Sequence, residues 1–171
     1  MTILAVMRHA KSDWGQPGLT DFDRPLNRRG RKAAEQVGRE LKRRGVRFDR
    51  VLASPALRVR ETLERLDEGY DGLPEPQFER RIYDAGLDAL FELVRMIPDS
   101  AHAPLLVGHN PGLHQLLLNL TSDADGLRSR VSDNLPTAAF ALIELPATRW
   151  EEVESGTGRL AELILPRDID D

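Results

Sequence analysis

Cysteine is absent from this 171-residue sequence, which excludes disulfides, thiolate metal ligands and a cysteine nucleophile. Aromatic residues are scarce at 5%, and only three of the 24 basic residues are lysines. Because 28 acidic residues bring the net charge to −4, no overall basic field indicates a nucleic-acid partner. The N-terminal apolar run, residues 3–7, is too short for a signal peptide or a membrane span. We therefore expect a cytoplasmic protein with no membrane association.

The alternation of strand-like and helix-like segments predicts the fold class. Residues 3–7, 51–53 and 104–107 are short apolar runs typical of buried strands. After Asn27, which is suited to cap a helix, apolar side chains follow helical spacing until Gly45, which is suited to end it. The chain therefore predicts a single α/β sandwich domain over residues 1–171. We expect its acidic tail, residues 167–171, to fray.

The remaining segments complete this outline. A long loop, residues 9–26, separates the first strand from the first helix, and long ordered loops are often functional. Ser54 and Pro55 predict the start of a second helix that ends near Leu66, followed by a loop over residues 67–76. We expect further elements in four segments: a short strand at 77–79, a helix at 87–97, an irregular stretch at 121–134, and a hairpin-like strand pair at 138–145 and 160–165.

Polar side chains stand at the ends of three predicted strands. Arg8 and His9 follow the first strand, Ser54 with Arg58 follows the second, and His109 follows the third. If these strands are parallel, their carboxyl ends share the edge of the sheet where ligands bind. Arginine presents a planar, permanently charged fork to phosphoryl oxygens, and neutral imidazole is nucleophilic at cytoplasmic pH. The sequence therefore predicts a phosphoryl pocket that contains a nucleophile.

Four motifs occur along the chain in a characteristic order and spacing. The strings are RHAKSDW at residues 8–14, DRPLNRRG at 23–30, SPALR at 54–58 and VGHNPG at 107–112. Together with LPTAAFA at 135–141, they resemble the histidine phosphatase superfamily, and in detail its compact branch typified by the phosphohistidine phosphatase SixA. The resemblance extends from residue 1 to about residue 166. It implies a three-layer sandwich with a mixed, mostly parallel central sheet flanked by helices.

The resemblance also implies roles for individual residues. His9 would accept the phosphoryl group, and Arg8, Arg58 and His109 would bind it and stabilise its charge. No metal or organic cofactor is expected. Three further positions keep two interpretations each: Asn27 as a helix cap or a phosphate contact, Lys11 as an attractant for an anionic substrate or a surface charge, and Thr137 as a site residue or a strand-entry residue.

Larger members of the superfamily use a carboxylic acid to protonate an alkoxide leaving group, and no segment here matches that motif. Glu79, Tyr83 and Asp84 lie in the corresponding region, but none fits it well. A positioned acid is worth roughly 10²–10⁴ in rate for a poor leaving group, whereas water can protonate a phosphohistidine nitrogen near neutral pH. The missing motif therefore favours phosphoramidates or other activated phosphates over sugar phosphates, and it argues against a mutase.

The leading hypothesis is a cofactor-independent phosphatase that hydrolyses phosphohistidine or an activated phosphate through a covalent intermediate on His9. A broad small-molecule phosphomonoesterase is the alternative within enzymes, and a non-catalytic phosphoprotein-binding module is the alternative from another class. The expected partner is a phosphorylated protein or a small phosphorylated molecule. No large apolar interface is evident in the sequence, and we expect a monomer.

Overall fold

A computed structural model of the protein describes residues 1–122 and 126–169. Strands and helices alternate along the described chain as β1 (Thr2–Arg8), α1 (Arg28–Arg44), β2 (Arg50–Ala53), α2 (Leu57–Tyr70), β3 (Pro76–Phe78), α3 (Leu87–Arg95), β4 (Pro104–Gly108), α4 (Gly112–Leu120), α5 (Gly126–Ser129), β5 (Phe140–Leu145) and β6 (Arg159–Ile164). Short 3₁₀ turns lie at Asp21–Asp23, Arg80–Ile82, Trp150–Glu152 and Pro166–Asp168. The described residues contain no helix long and apolar enough to cross a membrane.

The strands form one sheet in the order β3-β2-β4-β1-β5-β6. Neighbouring strands are parallel from β3 to β1, and β5 runs antiparallel to both β1 and β6. The register pairs Arg8 with Gly108 and Ala53 with Val107. The carboxyl ends of β1, β4 and β2 therefore stop at almost the same level, side by side, as the parallel arrangement predicted.

The sheet is buried between two layers of helices, which confirms the mixed α/β sandwich. Side chains of β1 alternate between the two faces because successive residues of a strand point in opposite directions. Ala5 and Met7 pack in the core under α1 and α2, whereas Leu4 and Val6 pack in the core under α3 and α4. Both faces of β1 and β4 are thus covered, as is usual for parallel strands with near-continuous apolar runs.

Local sequence signals explain the first helix. The Asn27 side-chain oxygen accepts a hydrogen bond from the Gly30 N–H at 2.8 Å, and Gly45 ends the helix in the left-handed region with a φ of 72°. Between these caps α1 packs closely against α2, where a Cβ on Gly38 would lie 2.1 Å from the Leu66 carbonyl oxygen. The glycine therefore permits the close approach of the two helices.

The structure differs from the sequence-based boundaries most clearly at the end of helix α2 and in the stretch 121–134. Helix α2 continues to Tyr70 instead of ending near Leu66, because the Tyr70 ring is buried and its hydroxyl donates to the Val46 carbonyl at 2.6 Å. The irregular stretch 121–134 contains the short helix α5. In the tail, residues 166–168 form a turn in which Asp168 pairs with Arg130 at 2.6 Å, and the expectation that the tail frays stays a prediction. Residues 170–171 lie outside the described residues.

Candidate active site

A cavity of about 590 Å³ opens at the carboxyl ends of β1, β2 and β4. Four cationic side chains line it, at Arg8, Lys11, Arg24 and Arg58, and two carboxylates, at Asp21 and Asp84. His9 and His109 also line it, and their ring centroids lie 5.2 Å apart. Four of the five residues that the strand ends predicted thus line one cavity, in which positive charge exceeds negative charge. The fifth, Ser54, contacts His109.

The side chain of His9 is held in one tautomer by the backbone. Its Nδ1 lies 2.7 Å from the carbonyl oxygen of Ala10, and because a carbonyl only accepts hydrogen bonds, Nδ1 must carry the proton. The other ring nitrogen, Nε2, then has its lone pair free. The backbone N–H of His9 donates to the Gly108 carbonyl at 3.1 Å, so the residue is anchored to β4.

The environment of His9 keeps its imidazole neutral. Burial is the largest cause, and the positive charges of Arg58 and Arg8 act in the same direction; together they overcome the Ala10 hydrogen bond and lower the pKa of His9 to about 3. A histidine with an ordinary pKa near 6.5 would be partly protonated at cytoplasmic pH. Here Nε2 stays unprotonated at any physiological pH, which is the state a nucleophile requires.

This pKa predicts a measurable loss of stability in acid. Below pH 6.5 the unfolded chain protonates His9, whereas the folded protein resists protonation down to about pH 3. The stabilising contribution of neutral His9 is therefore present above pH 6.5 and is lost as the pH falls. Between pH 7.5 and 4.5 we expect wild type to lose roughly 2–3 kcal/mol more unfolding free energy than His9→Gln, which cannot titrate.

Urea unfolding at the two pH values measures that difference. The contributions of the acidic residues to the pH dependence cancel in the comparison, because both proteins contain the same acidic residues. An equal loss of stability in wild type and His9→Gln would contradict a depressed pKa at His9.

Arg8 and Arg58 line the cavity, and a backbone carbonyl anchors each guanidinium. Arg8 Nη1 donates to the Leu135 carbonyl at 3.0 Å, and Arg58 Nη1 donates to the Asp21 carbonyl at 2.6 Å. The Nε–H groups of both arginines are buried with no hydrogen-bond partner among the described residues. An unpaired buried donor is costly. The charged guanidinium groups that line the cavity are suited to phosphoryl oxygens.

His109 is fixed by protein contacts on both ring nitrogens. Arg58 Nη2 donates to Nδ1 at 3.3 Å, and Nε2 then carries the proton and donates to the Ser54 hydroxyl at 2.8 Å. Burial is the largest cause of its lowered pKa, followed by the charge of Arg58, and together they bring it to about 4. His109 is thus neutral and in contact with Arg58, and it would touch a phosphoryl oxygen directly only by exchanging one of these contacts.

Thr62 lies one helical turn after Arg58 in α2 and connects two parts of the site. The Thr62 hydroxyl donates to the Arg58 carbonyl at 2.6 Å and accepts from the Ala10 N–H at 2.9 Å. This side chain therefore ties the residue after His9 to the helix that carries Arg58. Gly30 supports the same loop from α1, because any Cβ there would lie 2.1 Å from the Lys11 carbonyl oxygen.

Asp21 is a cavity residue that the sequence analysis does not predict. Its carboxylate accepts from Arg58 Nη2 at 3.0 Å, from Arg24 Nε at 3.1 Å and from the Tyr83 hydroxyl at 2.7 Å. Burial opposes its ionisation, but these hydrogen bonds outweigh it and lower the pKa of Asp21 to about 2. The only sequence signal is its place in the long loop after His9, three residues before Arg24.

The three positions with two interpretations differ in their placement. Lys11 and Thr137 line the cavity, as a binding role requires. Asn27 does not line it: its oxygen caps α1, and its Nδ2 lies 3.4 Å from the Ser12 carbonyl. The structure thus supports the helix cap at Asn27, and a phosphate contact at this residue stays a prediction.

The three candidate acids, Glu79, Tyr83 and Asp84, differ in their position relative to the cavity. Glu79 is engaged with Arg81 at 3.1 Å outside the cavity. The Tyr83 hydroxyl donates to Asp21, and burial followed by that contact raises the pKa of Tyr83. Asp84 is the one of the three that lines the cavity. In the described part of the chain, no cluster of three or more His, Asp or Glu residues could hold a metal ion, and the expectation of no metal stays a prediction.

Comparison with known proteins identifies the family to which the chain belongs. The model of the histidine phosphatase superfamily (branch 1) matches residues 4–88. An uncharacterised protein of Mycobacterium tuberculosis is 34% identical over 166 residues, which cover 94% of this chain and all of that protein. The chain belongs to the histidine phosphatase superfamily. A chloroplast protein of Arabidopsis thaliana, also uncharacterised, is 31% identical over 95% of this chain and 77% of its own length.

Similarity to solved structures shows to which branch of the superfamily this chain belongs. A protein from Agrobacterium tumefaciens assigned to the SixA phosphohistidine phosphatases has a TM-score of 0.81 and 27% identity, covering 96% of this chain and 98% of its own. SixA complexed with tungstate has a TM-score of 0.79 at 20% identity, with 98% and 99% coverage, and supports the fold. This histidine phosphatase superfamily member is thus SixA-like, as its motifs predicted.

Proposed function

We propose that this protein is a phosphatase that moves a phosphoryl group from a phosphohistidine, or from a small activated phosphate, to His9 and then to water. The observation that carries the proposal is the tautomer of His9. Its Nδ1–H is bound to the Ala10 carbonyl, which leaves Nε2 unprotonated in a cavity that Arg8 and Arg58 also line. An anion site with a free imidazole lone pair is suited to phosphoryl transfer.

In the first step, Nε2 of His9 attacks phosphorus and the bond from phosphorus to the leaving nitrogen breaks. The leaving nitrogen keeps the bonding electron pair and takes a proton from water. His9 becomes positively charged as the new bond forms, and the hydrogen bond from its Nδ1–H to Ala10 strengthens with that charge. Arg8 and Arg58 stabilise the charge on the equatorial oxygens, and His109 holds Arg58 in place.

In the second step, a water oxygen attacks phosphorus and the bond to Nε2 breaks. The electron pair returns to Nε2, and the proton that the attacking water releases balances the proton taken up by the first leaving group. The products are inorganic phosphate and the dephosphorylated substrate, with His9 again neutral. Its low pKa favours this return to the neutral state.

The charges in the cavity support a substrate with a good leaving group. Asp21 is ionised at neutral pH, since its pKa is about 2, and it therefore has no proton to donate. Tyr83 already donates its hydroxyl proton to Asp21. A phosphoramidate nitrogen needs no help from these groups, whereas an alkoxide loses roughly 10²–10⁴ in rate without a positioned acid.

A substrate panel tests the proposal. We expect kcat/KM to be highest for a phosphohistidine peptide and for phosphoramidate, lower for an aryl phosphate, and lowest for sugar phosphates by at least the ~10² that a missing acid costs. Phosphate release is the readout, with His9→Ala as the blank for every substrate. Sugar phosphates turned over as fast as phosphoramidate would contradict the leaving-group argument. Binding of phosphohistidine peptide without any release would favour the phosphoprotein-binding module.

The position of Asp84 favours the phosphomonoesterase as second candidate, since this carboxyl group lines the cavity. The variant Asp84→Asn separates the two functions. If the enzyme is specific for phosphoramidates, we expect Asp84→Asn to change kcat for phosphoramidate and for aryl phosphate by less than about threefold. A loss of ~10² or more for the ester alone would identify Asp84 as a general acid and support the broad phosphomonoesterase.

A further inference from the structure

Trp14 is an exposed aromatic side chain at the cavity. It lines the same cavity as Arg8 and His9, and 78% of it is exposed, whereas the other tryptophan, Trp150, is 1% exposed in the core. A large apolar ring left in water gains free energy when a ligand covers it, and tryptophan is favoured at binding surfaces for that reason. The mechanism proposed above gives Trp14 no role.

The Arg24 guanidinium packs against one face of the Trp14 ring. The guanidinium carbon of Arg24 lies 3.5 Å from the ring centroid. Arg24 is itself 8% exposed, and its donors are directed to the Ser12 hydroxyl at 2.5 Å and to Asp21 at 3.1 Å. The ring therefore rests on a fixed support, and its opposite face is left for a planar group.

The same contacts connect the ring to the phosphoryl-binding side chains. Asp21 accepts from Arg24 on one carboxylate oxygen and from Arg58 on the other. The chain of contacts thus runs from Arg58 through Asp21 and Arg24 to Trp14. A platform held in this way needs little ordering when a ligand binds, which favours affinity.

In-line transfer sets where the leaving group lies. The attacking and leaving atoms are on opposite sides of phosphorus, and His9 lies deep in the cavity with 7% of the residue exposed. The leaving group must therefore point away from His9, towards the open side of the cavity. Trp14, as an exposed lining residue, lies on that open side.

We propose that Trp14 is a stacking platform for a planar leaving group, so that the site selects phosphorylated imidazoles and aryl groups over non-planar phosphates of comparable charge. The inference rests on the proposed function, and it narrows the substrate class. The imidazole of phosphohistidine and the ring of an aryl ester share the chemistry that the platform recognises.

Kinetics with N-phosphoimidazole and phosphoramidate test the platform, since both contain a P–N bond and only the first has a ring. The kcat/KM of each variant is divided by that of wild type on the same substrate, so that differences in the intrinsic reactivity of the two substrates cancel. We expect Trp14→Ala to lower kcat/KM for N-phosphoimidazole by roughly three- to tenfold, and for phosphoramidate by less than twofold. Trp14→Phe should retain most of the activity. Leu19→Ala, an exposed apolar residue of the same loop outside the cavity, is the matched control.

Two kinetic outcomes would overturn the proposal. An equal loss on both substrates would show that Trp14 only supports the loop, and no loss on either would show that the ring is not used. A p-nitrophenyl phosphate arm distinguishes the two sources of planar group: a loss on N-phosphoimidazole but not on the ester restricts the platform to imidazoles and supports the proposal in that narrower form.

Tryptophan fluorescence gives a readout that does not depend on turnover. Phenylphosphonate should change the emission of exposed Trp14, methylphosphonate should change it less, and Trp14→Phe should abolish the difference, since Trp150 is buried. If wild type hydrolyses neither substrate, the proposed function fails, and the response to phenylphosphonate still decides the platform. Equal responses to the two phosphonates would contradict stacking.

Discussion

Replacement of His9 by alanine is expected to lower phosphate release by a factor on the order of 10⁴–10⁶, because the variant lacks the group that forms the covalent bond. The other cavity histidine is not free to replace His9. His109 has both ring nitrogens engaged, by Arg58 and by Ser54, and the cavity contains no thiol, since the chain has no cysteine. The residual rate would come from phosphoryl binding by the arginines alone.

The matched control is His102→Ala. His102 is an exposed loop histidine outside the cavity, and its removal should change turnover by less than twofold. Circular dichroism and urea unfolding show whether each variant is folded. His9→Ala that is folded and retains more than a hundredth of wild-type turnover would contradict a nucleophilic role for His9.

The second large effect is expected for Arg58→Ala, with kcat/KM reduced by roughly 10³–10⁵, the range found for arginines that stabilise phosphoryl transfer. Two changes combine in this variant. The transition state loses a guanidinium, and Asp21 loses the cation that lies 3.0 Å from its carboxylate. An uncompensated carboxylate then faces an incoming phosphoryl dianion.

A double variant separates these two changes. Adding Asp21→Asn to Arg58→Ala removes the repulsive charge and should recover activity about tenfold relative to Arg58→Ala. Arg60→Ala is the control, because Arg60 is an exposed arginine on the same helix with a backbone contact to Pro55. Its effect should stay below twofold. Arg58→Ala with more than a tenth of wild-type kcat/KM would show that the guanidinium does not act on the phosphoryl group.

The parts of the site that could be predicted are those attached to regular structure. Apolar runs fix where β1, β2 and β4 end, and parallel pairing then places Arg8, Ala53 and Gly108 side by side. Once those ends are level, His9, Arg58 and His109 must be neighbours. The helix cap at Asn27 is equally local, since it depends on the Gly30 N–H three residues away.

The parts that could not be predicted depend on contacts between residues distant in sequence. Asp21 reaches Arg58 and Tyr83 only because the long loop after β1 folds over the cavity. Helix α2 extends to Tyr70 because the Tyr70 hydroxyl donates to the Val46 carbonyl. The free energy of this tertiary contact outweighs the low helix propensity of Gly69. The Arg24 support under Trp14 likewise follows from the fold of this loop, and no periodicity or propensity encodes it.

The covalent intermediate is the central claim, and rapid-quench labelling measures it most directly. Wild-type protein is mixed with a phosphoryl donor labelled in its phosphorus, quenched in alkali, which preserves phosphohistidine, and digested for mapping. We predict a label on the peptide that contains His9, formed and lost at rates consistent with turnover, stable in alkali and released in acid. A label on any other residue, or full turnover with no label on His9 at any time, would contradict the account.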